Sequence, residues 1–187
     1  MKTLVVTGYK QMELGIFKQD DQRIMFIKAA LKKRLLSLIE EGLEWVLVSG
    51  QMGVELWTAE VVMDLKESHD IKLAILPPFT NQEDRWPEQL KMKYEELTLV
   101  ADFYKPVHEQ DYKAPYQFRQ KDQFLIEHSD GALLLYDTDT PGSPDYFRKM
   151  AMDYQEKGSY PIYYITPMDL EDIVEEIRMA DPDYWAQ

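Results

Sequence analysis

The chain has 187 residues, 45% hydrophobic and 12% aromatic, which suits one folded domain spanning 1–187 with a substantial core. Acidic residues outnumber basic ones 34 to 21, and the formal charge of -13 argues against binding to the phosphate backbone of nucleic acid. With no cysteines, the chain can form no disulfide, zinc ribbon or thiolate nucleophile.

The elements alternate along the chain. Leu4–Thr7 reads as a first strand, and its apolar run is far shorter than the core of a signal peptide. No segment approaches the roughly 20 apolar residues of a membrane helix, so a cytoplasmic protein without a membrane span is expected. A long loop, Tyr9 to Asp20, precedes a helix over Asp21–Glu41 that carries Ile24, Ile27, Leu31, Leu35, Leu38 and Ile39 at helical spacing. Gly42 sits where a terminating glycine belongs. Lys28, Lys32, Lys33 and Arg34 read as the solvated face of this helix. Strands at Trp45–Val48, Ile71–Leu76, Phe103–Tyr104, Ala132–Tyr136 and Ile162–Ile165 follow, separated by helices at Val54–Leu65, Glu88–Val100, Tyr116–Glu127 and Asp145–Gln155. A last helix spans Leu170–Met179.

Several strands are apolar at successive positions, as strands covered on both faces are. Repeated strand–helix alternation predicts an α/β fold: a Rossmann-like, doubly wound, mostly parallel sheet with helices on both faces. Ligands of such sheets bind outside the carboxyl ends of the strands, where Tyr9–Asp20 and Pro77–Pro87 lie.

Three turns there could carry chemistry. The second strand runs into Ser49-Gly50-Gln51-Met52-Gly53-Val54-Glu55, whose glycines permit close approach to a helix N-terminus suited to an anion. A tight strand–helix turn explains the same glycines equally well, and the spacing matches neither a dinucleotide fingerprint nor a P-loop. Glu55 could favour the helix start by charge or accept hydrogen bonds from ribose hydroxyls. Asp137 to Asp145 follows the fifth strand, with Gly142 before Ser143, a good N-cap, and Pro144 at the first helical position. Gly8-Tyr9 forms the first turn. Three such turns converging on one crevice would make a site. Arg119 and Lys121 precede the fifth strand and could neutralise a phosphate. Trp57, Trp86 and the tyrosines could stack on a base, although large aromatics more often fill the core. His69, His108 and His128 lack metal-ligand spacing, and no metal is expected.

At these turns the sequence resembles the YpsA family of small bacterial proteins. The resemblance rests on Val6-Thr7-Gly8-Tyr9-Lys10 with Glu13-Leu14-Gly15, on Ser49 to Trp57, on Trp86 and on Gly142-Ser143-Pro144. It covers nearly the whole chain and implies membership of the Rossmann-like SLOG superfamily, which includes DprA and the LOG enzymes. What it implies is a small nucleotide-like ligand, such as a nucleotide, NAD or ADP-ribose, held at the carboxyl edge of the sheet. Gly8, Tyr9, Ser49, Gly50, Gln51, Gly53, Glu55, Arg119, Asp137, Gly142 and Ser143 are the candidate binding residues. It also implies a homodimer and a protein partner in bacterial cell division. LOG enzymes cleave an N-glycosidic bond with a glutamate in a Pro-Gly-Gly-x-Gly-Thr-x-x-Glu turn. Here Ser143-Pro144-Asp145-Tyr146-Phe147-Arg148 follows Gly142, with no glutamate at that spacing. Asp145 and Glu55 are the acids available in its place. A binding or sensor module is therefore expected first, a nucleotide hydrolase second and a ligand-free interaction scaffold third.

Overall fold

The computed structural model describes residues 1–183. Six parallel strands form one sheet: β1 (Thr3–Thr7), β2 (Trp45–Val48), β3 (Lys72–Ile75), β4 (Phe103–Tyr104), β5 (Gly131–Leu135) and β6 (Ile162–Ile165), in the order β4-β3-β2-β1-β5-β6. Strand β5 is buried throughout its length, and β1 and β2 are buried after their half-buried first residues, as strands covered on both faces must be. At the centre Val5 pairs with Leu47 on one side and Ala132 on the other.

Helices α1 (Gln22–Glu40), α2 (Val54–Leu65), α3 (Glu88–Val100), α4 (Tyr116–Glu127), α5 (Pro144–Gln155) and α6 (Pro167–Ala180) complete the fold. Helix α1 packs against α2 and α6, whereas α4 packs against α5. Right-handed crossovers account for this division, because the chain moves outward from β1 to β4 and then returns past β1 to β5. That reversal opens a crevice between the ends of β1 and β5.

Local chemistry sets the helix ends. Asp21 accepts the Arg23 N–H at the start of α1. After α1, the Gly42 N–H donates to the Ile39 carbonyl and the Leu43 N–H to that of Leu38, a Schellman pair that needs the positive φ of Gly42. Helix α6 starts three residues earlier than apolar periodicity indicates. Thr166 and Asp169 cap each other reciprocally and Pro167 takes the first position, none of which adds to an apolar stripe. Strand β5 ends at Leu135, one residue short of expectation, but the Tyr136 N–H still donates to the Ile165 carbonyl. The basic face of α1 is partly committed: Lys28 pairs with Glu60, Lys33 with Glu176, and Arg34 donates to the Tyr164 carbonyl. No helix among the described residues is long and apolar enough to cross a membrane.

Candidate functional site

A cavity of about 470 Å³ opens at the carboxyl edge of the sheet. Each of its walls is a segment leaving a strand or starting a helix. Thr7, Gly8 and Lys10 follow β1; Ser49, Gln51 and Glu55 follow β2; Pro78 and Gln82 follow β3. The first turns of α4 and α5 supply Phe118, Arg119, Ser143 and Tyr146.

Glu55 and Asp122 are buried acids of this cavity. One carboxylate oxygen of Glu55, Oε1, accepts the Ser49 N–H at 2.6 Å and the Ser49 hydroxyl at 2.7 Å. The other, Oε2, accepts only a long 3.3 Å bond from the Thr7 hydroxyl among the described residues. Burial pushes the Glu55 pKa above its ordinary value, against the opposing pull of Lys121 and the Ser49 hydrogen bonds. The Lys121 side chain is only 13% exposed and lies 2.5 Å from Asp122 Oδ1. Burial alone would depress its pKa, but Asp122 and Glu55 together outweigh burial and hold it above the usual lysine value. The Asp122 contact thus favours the charged ammonium at this position. Lys10 and Arg119 line the same cavity and, among the described residues, neither is in an ion pair.

Six of the sequence-derived candidates line this space: Gly8, Ser49, Gln51, Glu55, Arg119 and Ser143. Five others do not. Tyr9 is buried, its hydroxyl lying 2.7 Å from the Thr140 carbonyl oxygen and 3.0 Å from that of Asp137, so it anchors the loop after β5. The Asp137 carboxylate closes its own turn by accepting the Asp139 N–H and the Thr140 hydroxyl. Gly142 packs beneath Tyr9 and Glu13, and its N–H donates to Asp145. Gly50 has φ +80° and faces the ring of Tyr94. Gly53 has φ +102°, and a Cβ there would meet the Tyr9 carbonyl oxygen and Gln11 nitrogen at 2.5 Å.

The helix starts also differ from the anion cradles expected. At α2 the Val54 N–H donates to the Tyr9 carbonyl, so the β1 loop occupies part of that helix N-terminus. At α5 the Ser143 hydroxyl does not cap the helix but donates to Glu13, as does the Ser143 N–H. Burial alone would raise the Glu13 pKa, but these two bonds and one from the Lys10 N–H lower it. Asp145 accepts hydrogen bonds from Tyr136 and from the Gly142 N–H, which removes it as a replacement for the missing glutamate. Trp57 belongs to the core and Trp86 packs edge-on against Tyr94 at 5.2 Å, so neither is a base platform. Sequence reading missed Thr7, Lys10, Asp122, Gln82, Phe118 and Tyr146 as lining residues. Thr7, Lys10 and Tyr146 lie in segments already singled out, but only the folding of five segments onto one edge brings these side chains together.

Residues 4–170 match the profile described as the YspA SLOG family. The chain is 58% identical to the UPF0398 protein OB1025 of Oceanobacillus iheyensis, over 99% of this chain and 100% of that protein. It is 50% identical to the UPF0398 protein YpsA of Bacillus subtilis, over 94% of this chain and 98% of that protein. Among solved structures, DNA processing protein A from Helicobacter pylori superposes with a TM-score of 0.57, covering 94% of this chain and 80% of that chain. At 13% identity that likeness is one of fold; that protein is described as having a unique single-stranded DNA binding mode.

Proposed function

This chain belongs to the YspA SLOG family, and on that premise we propose that its cavity binds a nucleotide or a nucleotide-derived ligand of the NAD or ADP-ribose kind. One observation carries the reading: the spare acceptor Oε2 of the buried Glu55 lies in the same cavity as Lys10 and Arg119, two cations without ion-pair partners among the described residues. A carboxylate held rigid by its other oxygen suits a ribose hydroxyl donor, and the cations suit a phosphate. The crevice lies at the sheet's topological switch point, where such folds bind ligands.

A small ligand fits this chain better than a nucleic acid, since the formal charge is -13 while Lys10, Arg119 and Lys121 line this crevice against Glu55 and Asp122. Without an assembled catalytic set, the site serves a regulatory or sensor module read by a protein partner, and the cell-division association of its family resemblance gives that role a setting. Calorimetric titration with ADP-ribose, NAD and mononucleotides tests the reading, with a single-stranded oligonucleotide as the competing arm. Binding of the small ligands below millimolar concentration is expected; tighter binding of the oligonucleotide, or of nothing at all, would reject it.

Glu55 also supports a second reading, hydrolysis of an N-glycosidic bond. Burial favours its protonated form, and a carboxyl so placed can deliver or accept a proton. Chromatography for free base after incubation with nucleoside monophosphates and NAD decides this, with Glu55→Gln as the background control.

A further inference from the structure

We infer that the cavity recognises the ribose-phosphate half of its ligand with its polar interior and stacks the base on an aromatic rim made by Tyr146 and Phe118. The inference rests on the nucleotide-binding reading above and assigns the two ends of the ligand to different parts of the site.

The floor and the rim differ in chemistry. Thr7, Ser49, Glu55, Lys121 and Asp122 contribute hydroxyls, carboxylates and an ammonium, groups that recognise sugar hydroxyls and phosphate. The rim carries two aromatic rings from neighbouring helix starts. Tyr146, in the first turn of α5, is 77% exposed although it lines the cavity. Phe118, in the first turn of α4, is 39% exposed and is steadied by Phe79, edge-on at 5.4 Å, and by Tyr112 at 6.0 Å. Helices α4 and α5 pack together, so both rings flank one opening. An exposed aromatic beside a polar cavity leaves a π-face free for a planar heterocycle.

The lining glutamines are each half committed within the protein: Gln51 Oε1 accepts the Met52 N–H at 3.0 Å, and Gln82 Nε2 donates to the Ser49 carbonyl at 2.7 Å. The Tyr146 and Phe118 rings, beside the Lys10 and Arg119 cations, are the stacking surface of the opening. Every base has a π-face, so stacking on these rings accepts all four.

The test is calorimetric titration of the full chain with AMP, GMP, CMP, UMP, ribose 5-phosphate and ADP-ribose, using wild type, Tyr146→Ala and Tyr146→Phe. Tyr146 is exposed, and unchanged thermal melting identifies folded variants. Tyr146→Ala should weaken each monophosphate by about 10-fold or more while leaving ribose 5-phosphate unchanged, and Tyr146→Phe should restore affinity, because stacking needs the ring and not the hydroxyl. Equal losses for nucleotides and ribose 5-phosphate, or an indifferent Tyr146→Ala, overturn the inference, although nucleotide binding itself would then still stand. Binding of ADP-ribose without any monophosphate also overturns it alone. If nothing binds, this inference and the nucleotide reading fall together.

Discussion

Gly53→Ala separates a structural glycine from one that merely leaves room for a ligand. Gly53 holds φ +102° and ψ -134°, a region almost restricted to glycine, and a side chain there stores about 1–3 kcal/mol of backbone strain. The added methyl would also lie 2.5 Å from both the Tyr9 carbonyl oxygen and the Gln11 nitrogen, and 2.9 Å from the Lys10 carbonyl carbon. These are backbone atoms, so no rotamer change relieves the contact, and overpacking of this kind adds about 1–3 kcal/mol. Moving the β1 loop away would stretch the 3.1 Å bond from the Val54 N–H to the Tyr9 carbonyl, costing about 1 kcal/mol more. A total destabilisation of about 4 kcal/mol follows. Gly42→Ala is the control: its φ is +105°, but a Cβ there has nothing within 4 Å, so only strain of about 1 kcal/mol is expected. For a chain of this size the urea m-value is about 2 kcal/mol/M, which places the Gly53→Ala midpoint about 2 M below wild type and that of Gly42→Ala about 0.5 M below. If the two midpoints coincide, the close backbone approach does not constrain Gly53 and the reasoning is refuted. Any binding lost in Gly53→Ala then traces to the displaced β1 loop, which carries Lys10 into the cavity.

Four further outcomes are expected. Glu55→Gln should weaken ribonucleotide binding by about 10-fold, since a neutral amide is a poorer acceptor than a carboxylate, and should keep the fold because Gln Oε1 can still accept the Ser49 N–H. Since the folded-state pKa of Glu55 is raised, its ionisation costs stability as pH climbs from the ordinary value of 4.5 through the raised one; denaturation midpoints should therefore shift in favour of Glu55→Gln as pH rises through that window. Lys121→Met leaves Asp122 and Glu55 buried without their cation and should cost about 3–5 kcal/mol by urea denaturation, most of it recovered in Lys121→Met/Asp122→Leu; an uncorrected double variant would show that the pair is not the reason. The Glu13 pKa is lowered, so the stability from its bonds to Ser143 and Lys10 is present above the ordinary value of 4.5 and disappears as pH falls through the lowered one. The protection factor of the Ser143 N–H against hydrogen exchange, followed by NMR, should fall over that interval, and a pH-independent protection factor would exclude the clasp.

The glycines show how far local reading reaches. Gly42 was legible because a Schellman ending is a property of six consecutive residues. The glycines at 50 and 53 were legible as required but not as to cause, because the atoms they avoid belong to Tyr94, Tyr9 and Gln11. Ser143 illustrates the same gap. Its position before Pro144 predicts a cap, but Glu13, 130 residues earlier in the chain, takes both its hydroxyl and its N–H.

By itself the sequence determined the alternation of elements, the doubly wound parallel sheet and the edge at which a ligand would sit. Apolar periodicity, glycine positions and strand–helix order are short-range, and crossover handedness turns them into topology. Only the tertiary structure decided which side chains face that edge. It placed Glu55 between Ser49 and Thr7, set Lys121 beside Asp122, committed Tyr9 and Asp137 to the loop after β5, and left Tyr146 exposed at the rim. Burial, partner choice and the resulting pKa shifts depend on what arrives from distant segments, and no pattern along the chain encodes those distances.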